Sequence, residues 1–165
     1  MFWIIALGIA TGMRTMTPIT VVCWFTAFAL LPANGWTFWA AKMITVIIFT
    51  IGALSEYYID ILPQTPSRTR LPGVLARLVS AALTGAVVAA ALREPLAGGI
   101  VFGCIGALIG TYGGHSLRLY FGRLVGRDLP VGLCESVLAL GIAVLALNFI
   151  HMDIQEAAGA ARTFF

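Results

Sequence analysis

Charge is what this chain has least of. Asp, Glu, Lys and Arg together make up 10% of its 165 residues, against about 25% in an ordinary soluble domain. Such a chain cannot cover itself with polar groups in water. Hydrophobic residues account for 60% of it and the mean hydropathy is +0.97, which assigns it to a bilayer; its length is that of one domain. Cysteine is scarce too. Cys23, Cys104 and Cys134 lie far apart in apolar runs, with no C-x-x-C or zinc-type spacing, so they read as small core residues. The two histidines, His115 and His151, fall on opposite sides of the expected membrane and support no metal site. A phosphate-cradling G-x-x-x-x-G-K loop and a serine–histidine–acid order are both lacking. We therefore expect no catalytic residues, no cofactor and no enzyme. Nor is there a basic stripe for nucleic acid, since the ten Lys and Arg are spread between apolar helices and the net charge is only +3. Met1-Phe2-Trp3 lacks the basic n-region of a cleavable signal peptide.

What remains is a set of long apolar runs parted by turn signals. The expected fold is all-α, a polytopic membrane helix bundle with about five transmembrane helices at 2–31, 36–62, 73–92, 96–121 and 130–150. Residues 1–150 form a single transmembrane domain, and 151–165 is an interfacial or flexible tail. The first run is long: thirty helical residues measure about 45 Å, more than the roughly 30 Å hydrocarbon core. It must tilt, protrude or break, and the break is expected at Thr11-Gly12-Met13-Arg14-Thr15-Met16-Thr17-Pro18, because Pro18 cannot donate to the carbonyl four residues back. Trp36 and Trp39 mark an interface. Arg68, Arg70, Arg77, Arg118, Arg123 and Arg127 fall on one side, and Lys42, Arg93 and Arg162 on the other. This imbalance orients the first side to the cytoplasm of a bacterial inner membrane, with the N-terminus on it. Glycines at 99, 103, 106, 110, 113 and 114, with Gly8 and Gly12 in the first run, form small-residue faces that let helix backbones approach. An ungapped echo between Ala6–Thr15 and Ala107–Ser116 raises an inverted repeat of spans 1–2 on spans 4–5.

A few ionisable groups stand in this apolar setting, and each asks for a partner or a role, since one at the bilayer centre costs about 2.5–3.5 kcal/mol on insertion scales. Arg14 is the deepest, with Thr11, Thr15 and Thr17 around it. Either it faces an anion or carboxylate in a cavity, or it closes an internal salt bridge to Glu56, Asp60 or Glu135. Glu56 and Asp60 share one helix face, at about the depth of the cytoplasmic interface. The loop that follows brings Arg68 and Arg70, able to close a charge network with them. Glu135 is too deep to be freely hydrated, and His115, Arg118 or Arg14 are its economical partners. His115 is a packed histidine or a proton relay. Lys42 can snorkel to the outer interface.

Several segments together resemble a family of small bacterial integral membrane proteins catalogued as a domain of unknown function. They are Gly12-Met13-Arg14-Thr15-Met16-Thr17-Pro18, Glu56 with Asp60-Ile61-Leu62-Pro63, Thr65-Pro66-Ser67-Arg68-Thr69, Leu75-Ala76-Arg77, Gly110-Thr111-Tyr112-Gly113-Gly114 with Arg118, and Glu135. In such relatives a second acid often follows the last glutamate; here Ser136 takes that place, which weakens a paired-carboxylate site. The resemblance implies the membrane class and singles out Tyr112 beside the residues above, but it implies no activity. The expected function is a small transporter or channel with a polar cavity around Arg14, working as a homo-oligomer in the lipid bilayer. The alternative is a non-catalytic accessory or assembly subunit of a larger membrane complex.

Overall fold

The computed structural model describes residues 1–61, 71–125 and 128–163, without the side chains at 60, 61, 119, 122–125, 128–130 and 161–163. The helices are α1 (Phe2–Met13), α2 (Thr17–Ala27), a 3-10 helix (Gly35–Ala41), α3 (Met43–Ile61), α4 (Leu71–Ala91), α5 (Leu96–Val125) and α6 (Asp128–Thr163). Among the described residues there is no strand. Three helices are long and apolar enough to cross a membrane, or four if the 3-10 helix and α3 count as one span bent by 62°. Long aliphatic side chains point outward, as with Ile44, Ile48, Ile51, Leu75, Val79, Ile109 and Val137, while Thr11, Thr17, Thr84, Thr111, Arg14, Arg77 and Glu135 are buried. The buried polar groups sit within an otherwise apolar core, and with three helices long and apolar enough to span a bilayer the chain is a membrane protein.

The first apolar run breaks where Pro18 predicts, a few residues upstream of the ring. Arg14 is extended, at φ −137° and ψ 113°, and ends α1. Pro18 then sits in the first turn of α2, where its missing N–H would have had no helical partner in any case. At the far end of α2, Ala29 takes a left-handed φ of 56° and the amides of Leu30 and Leu31 both return to the Phe25 carbonyl, which stops the helix.

Glycine sets the packing of α1, α4 and α5. A Cβ on Gly8 would lie 2.3 Å from the Gly103 carbonyl oxygen, and one on Gly12 would lie 2.3 Å from that of Ala107. The numbers rise together along α1 and α5, so these two helices run in the same direction. Gly85 meets Gly99 and Ala81 meets Gly103, so α4 runs against α5. The three helices touch backbone to backbone, the close approach that small residues permit in membranes. The echo between 6–15 and 107–116 therefore joins two neighbouring helices of like direction, whereas members of an inverted repeat run oppositely.

The two halves of the first run do not continue one another across the molecule. Trp3, in the first turn of α1, stacks on Phe149 of α6 at 4.4 Å between ring centroids. At the other end of α1, Arg14 Nη2 donates to the Gly132 carbonyl at 3.1 Å. Thus α1 runs down α6 from 149 toward 132. α2 returns: it pairs antiparallel with α3 through Thr17 and Tyr57, at 2.8 Å, and Trp24 and Thr50, at 3.2 Å. It ends with the Leu30 carbonyl 2.6 Å from His151 Nδ1, two residues from Phe149. So α1 and α2 are the legs of a re-entrant hairpin with its tip at Arg14-Thr15-Met16. The expectation of one span over 2–31 is corrected on this point, because a break of three residues leaves enough free backbone for the chain to reverse. The N-terminus therefore shares an end of the bundle with the 3-10 helix, the α4–α5 turn and the last turns of α6. The last turn of α3, the first turn of α4 and the last turns of α5 lie at the opposite end.

Two further boundaries differ from the sequence reading. The 62° bend sets the 3-10 helix aside from α3, so Glu56 lies about 20 Å along α3 at 1.5 Å per residue. The C-terminal tail is helical through Thr163 as an extension of α6.

Candidate functional site at the tip of the hairpin

A broken helix frees backbone groups that its own turns no longer satisfy, and at this tip other helices supply the partners. The amides of Thr15 and Met16 donate to Glu56 Oε1 and Oε2, each at 2.8 Å. Charge-assisted bonds of this kind are about twice as strong as neutral ones, and the carboxylate also faces the positive end of α2. Ser80 Oγ of α4 donates to the Thr15 carbonyl at 2.7 Å. Thr111 of α5 reaches the Gly12 carbonyl at 3.4 Å, and Thr20 bonds the carbonyls of Met16 and Phe49. Glu56 thus clamps the tip to α3 while Ser80 clamps it to α4.

Arg14 is 3% exposed. Its guanidinium lies between α6 and α3, donating to Gly132 and standing 5.2 Å above the centre of the Tyr57 ring. Glu135 and Arg77 are each 6% exposed. Glu135 Oε2 lies 3.7 Å from Arg118 Nη1, and its other oxygen occupies room left by Gly114, where a Cβ would stand 3.3 Å away. Arg77 is one turn from Ser80 on the same face of α4. Each of α3, α4, α5 and α6 therefore brings a polar or charged group to the depth at which α1 breaks. α1 measures about 18 Å at 1.5 Å per residue, a little over half of the roughly 30 Å hydrocarbon thickness.

Of the residues singled out from sequence, the structure gathers Arg14, Thr15, Thr17, Glu56, Arg118 and Glu135 around the tip. Thr15 contributes its backbone N–H and carbonyl there, and Thr17 its hydroxyl, which pairs with Tyr57. Glu56, expected at about the depth of the cytoplasmic interface, is half-buried and meets the hairpin tip through both carboxylate oxygens. Tyr112 is 54% exposed on the outer face of α5 and lies away from the cluster, and His115 is half-buried beside Gly114. The side chain of Asp60 and the whole of Arg68 and Arg70 lie outside the described residues. Tyr57, Arg77, Ser80 and Thr111 were missed as members of the cluster. Arg77 looked like one more topology-setting arginine at a helix start, and only its spacing of three from Ser80 marked a polar face. Among the described residues no group of three metal-ligating side chains occurs. No family model, curated protein or solved structure matches the chain.

Proposed function

We propose that this chain is a small transporter or channel in which α3, α4, α5 and α6 cross the bilayer and the α1–α2 hairpin enters and leaves from one side. The observation that carries this reading is the tip itself, a charged break in a helix near mid-depth with a polar group from each crossing helix beside it. Irregular backbone at such depth is tolerated where it is buried in protein or lines a watery cavity, and transporters build their sites from discontinuous helices. Arg14, in the seam between α3 and α6, is the group that meets the solute; Glu56 and Ser80 hold the tip in place. Arg68, Arg70, Arg123 and Arg127 lie in or next to the segments joining α3 to α4 and α5 to α6, so the positive-inside rule turns that end to the cytoplasm. The N-terminus then faces outward, opposite to the orientation drawn from sequence. A bacterial inner membrane and membership of the resembled family belong to the same proposal.

The test is flux through the purified chain in liposomes, using glycerol, urea, potassium chloride and potassium acetate as probes. Arg14→Gln and Glu135→Gln are expected to abolish flux of a probe that the unaltered chain admits, with folding retained. No flux of any probe through the unaltered chain, or loss of folding in both variants, sinks the reading. One observation favours a second reading, an accessory subunit: both oxygens of Glu56 are already engaged by backbone amides, as a purely structural lock requires. That reading predicts co-purification with a larger complex in mild detergent.

A further inference from the structure

The 3-10 helix before α3 is not built like a crossing segment. It has seven residues, Gly35–Ala41, and stands at 62° to α3. Thr37 and Ala40 are buried, whereas Trp36 and Phe38 are 47% and 61% exposed. Trp39, paired with Trp36 in the sequence reading, is half-buried and packs on the core, 6.2 Å from the Phe49 ring. Phe28, just past the last residue of α2, is 64% exposed. Polar groups bracket this aromatic patch. The chain from Phe28 to Asn34 is irregular, with Ala29, Asn34 and Gly35 exposed, and Lys42 is exposed on the other side. Beyond Lys42 the exposed side chains turn aliphatic, in Met43, Ile44, Ile47 and Ile48.

We propose that this patch is an interfacial lipid anchor, with Trp36 and Phe38 seated among the headgroups and acyl esters of the leaflet at this end of the bundle. Exposed irregular backbone does not occur in hydrocarbon and an ammonium there is costly, so Asn34 and Lys42 hold the patch above the bilayer core. Water is no better a neighbour for two large aromatic rings. The boundary suits both, because an indole is an apolar ring with one N–H to donate. The order along the chain agrees: an exposed irregular segment, then aromatics, then the aliphatic face of α3, as for a chain descending from headgroups into acyl chains. The patch thus continues the lipid-facing surface of α3. A protein partner fits poorly, since a stable contact takes about 20–30 residues a side and only Phe28, Trp36 and Phe38 stand out here. The anchor fixes depth: Glu56, which holds the tip, lies about 20 Å further along α3. The inference rests on the membrane placement of the helices, not on transport.

The experiment is fluorescence quenching of the full chain in phosphatidylcholine liposomes whose acyl chains carry bromine either near the ester or near the methyl end. Trp36 is read alone after Trp3→Phe, Trp24→Phe and Trp39→Phe. Independently, Phe38→Cys is labelled with an environment-sensitive dye, with Cys23, Cys104 and Cys134 replaced by alanine; this second probe decides alone if the first variant does not fold. Both probes are expected to lose more emission to bromine near the ester than to bromine near the methyl end, and to lose little to aqueous iodide. Stronger quenching by the deep bromine places the patch in hydrocarbon and overturns the proposal. Strong quenching by iodide with none from either lipid leaves the patch in water and overturns it too. Probes that no quencher reaches are covered by protein, a second copy or another chain, and the anchor is then wrong.

Discussion

Glu56 is the residue on which the tip depends most directly, because it meets two amides that no helix satisfies. A glutamine there has one acceptor oxygen and one donating amide, so it can answer only one of the two N–H groups and turns a donor toward the other. Glu56→Gln is therefore expected to lower stability by about 1.5–3 kcal/mol, the range for a hydrogen bond to a charged group, seen as a lower Tm in detergent. Glu56→Asp, one methylene short of the tip, should retain the charge and recover only part of the loss. Arg14 invites a different comparison. Lysine preserves its charge but not the planar group that lies over Tyr57, and arginine and lysine are not equivalent at stacked sites. Arg14→Lys should cost about 1 kcal/mol in stability, a small change beside that of an uncharged replacement. These residue roles were partly legible: the scarcity of charge made each buried ionisable group conspicuous. Which partner each one takes was not, since pairing joins groups about 40 residues apart for Glu56 with Thr15 and 118 apart for Arg14 with Gly132.

Among the elements, α1 and α5 form the tightest pair, and glycine is the cause. A Cβ on Gly106 would stand 2.3 Å from the Ile5 carbonyl oxygen and 2.8 Å from the Cα of Gly8. Those obstacles are backbone, so the helices themselves must separate. Gly106→Ala should destabilise by about 1–3 kcal/mol, the ordinary cost of overpacking. Gly113→Ala lies on the same helix with nothing within 4 Å and should be near neutral. Parallel thermal unfolding of the two variants measures the contrast; equal losses would show that helix propensity, and not the close approach, decides. The stripe was visible as a spacing of three and four. Its partner was not, because a bare face can meet any other bare face, and the choice of Gly8 and Gly12 for Gly103, Gly106 and Gly110 is made only when the bundle assembles.

For the molecule as a whole, the hairpin changes the parity of every later segment. Phe2, 71% exposed, and Arg93 lie at one end of the bundle, and Tyr120, 62% exposed near the end of α5, at the other. Single-cysteine variants Phe2→Cys and Arg93→Cys should label from one face of a sealed vesicle and Tyr120→Cys from the opposite face. If Phe2→Cys labels together with Tyr120→Cys, the first run crosses once and the hairpin is wrong. Length arithmetic could not reach this result. Thirty apolar residues suit one tilted or broken crossing, and they suit equally well two legs of about 18 and 16 Å at 1.5 Å per residue.

By itself the sequence determined the solvent, the helices and the point of breakage. These follow from local quantities: too little charge to face water, apolar runs long enough to bury their own backbone bonds, and a proline that no helix interior accepts. Tertiary structure decided the direction in which α2 leaves the break, and with it the end of the bundle that the later helices share with the N-terminus and the company around Arg14. The reason is physical. A break releases amides and carbonyls that must find partners in a medium with none to offer, so the chain turns toward whichever helices hold them. Here those are Glu56 on α3 and Ser80 on α4, and the path of α2 follows from where those two side chains stand.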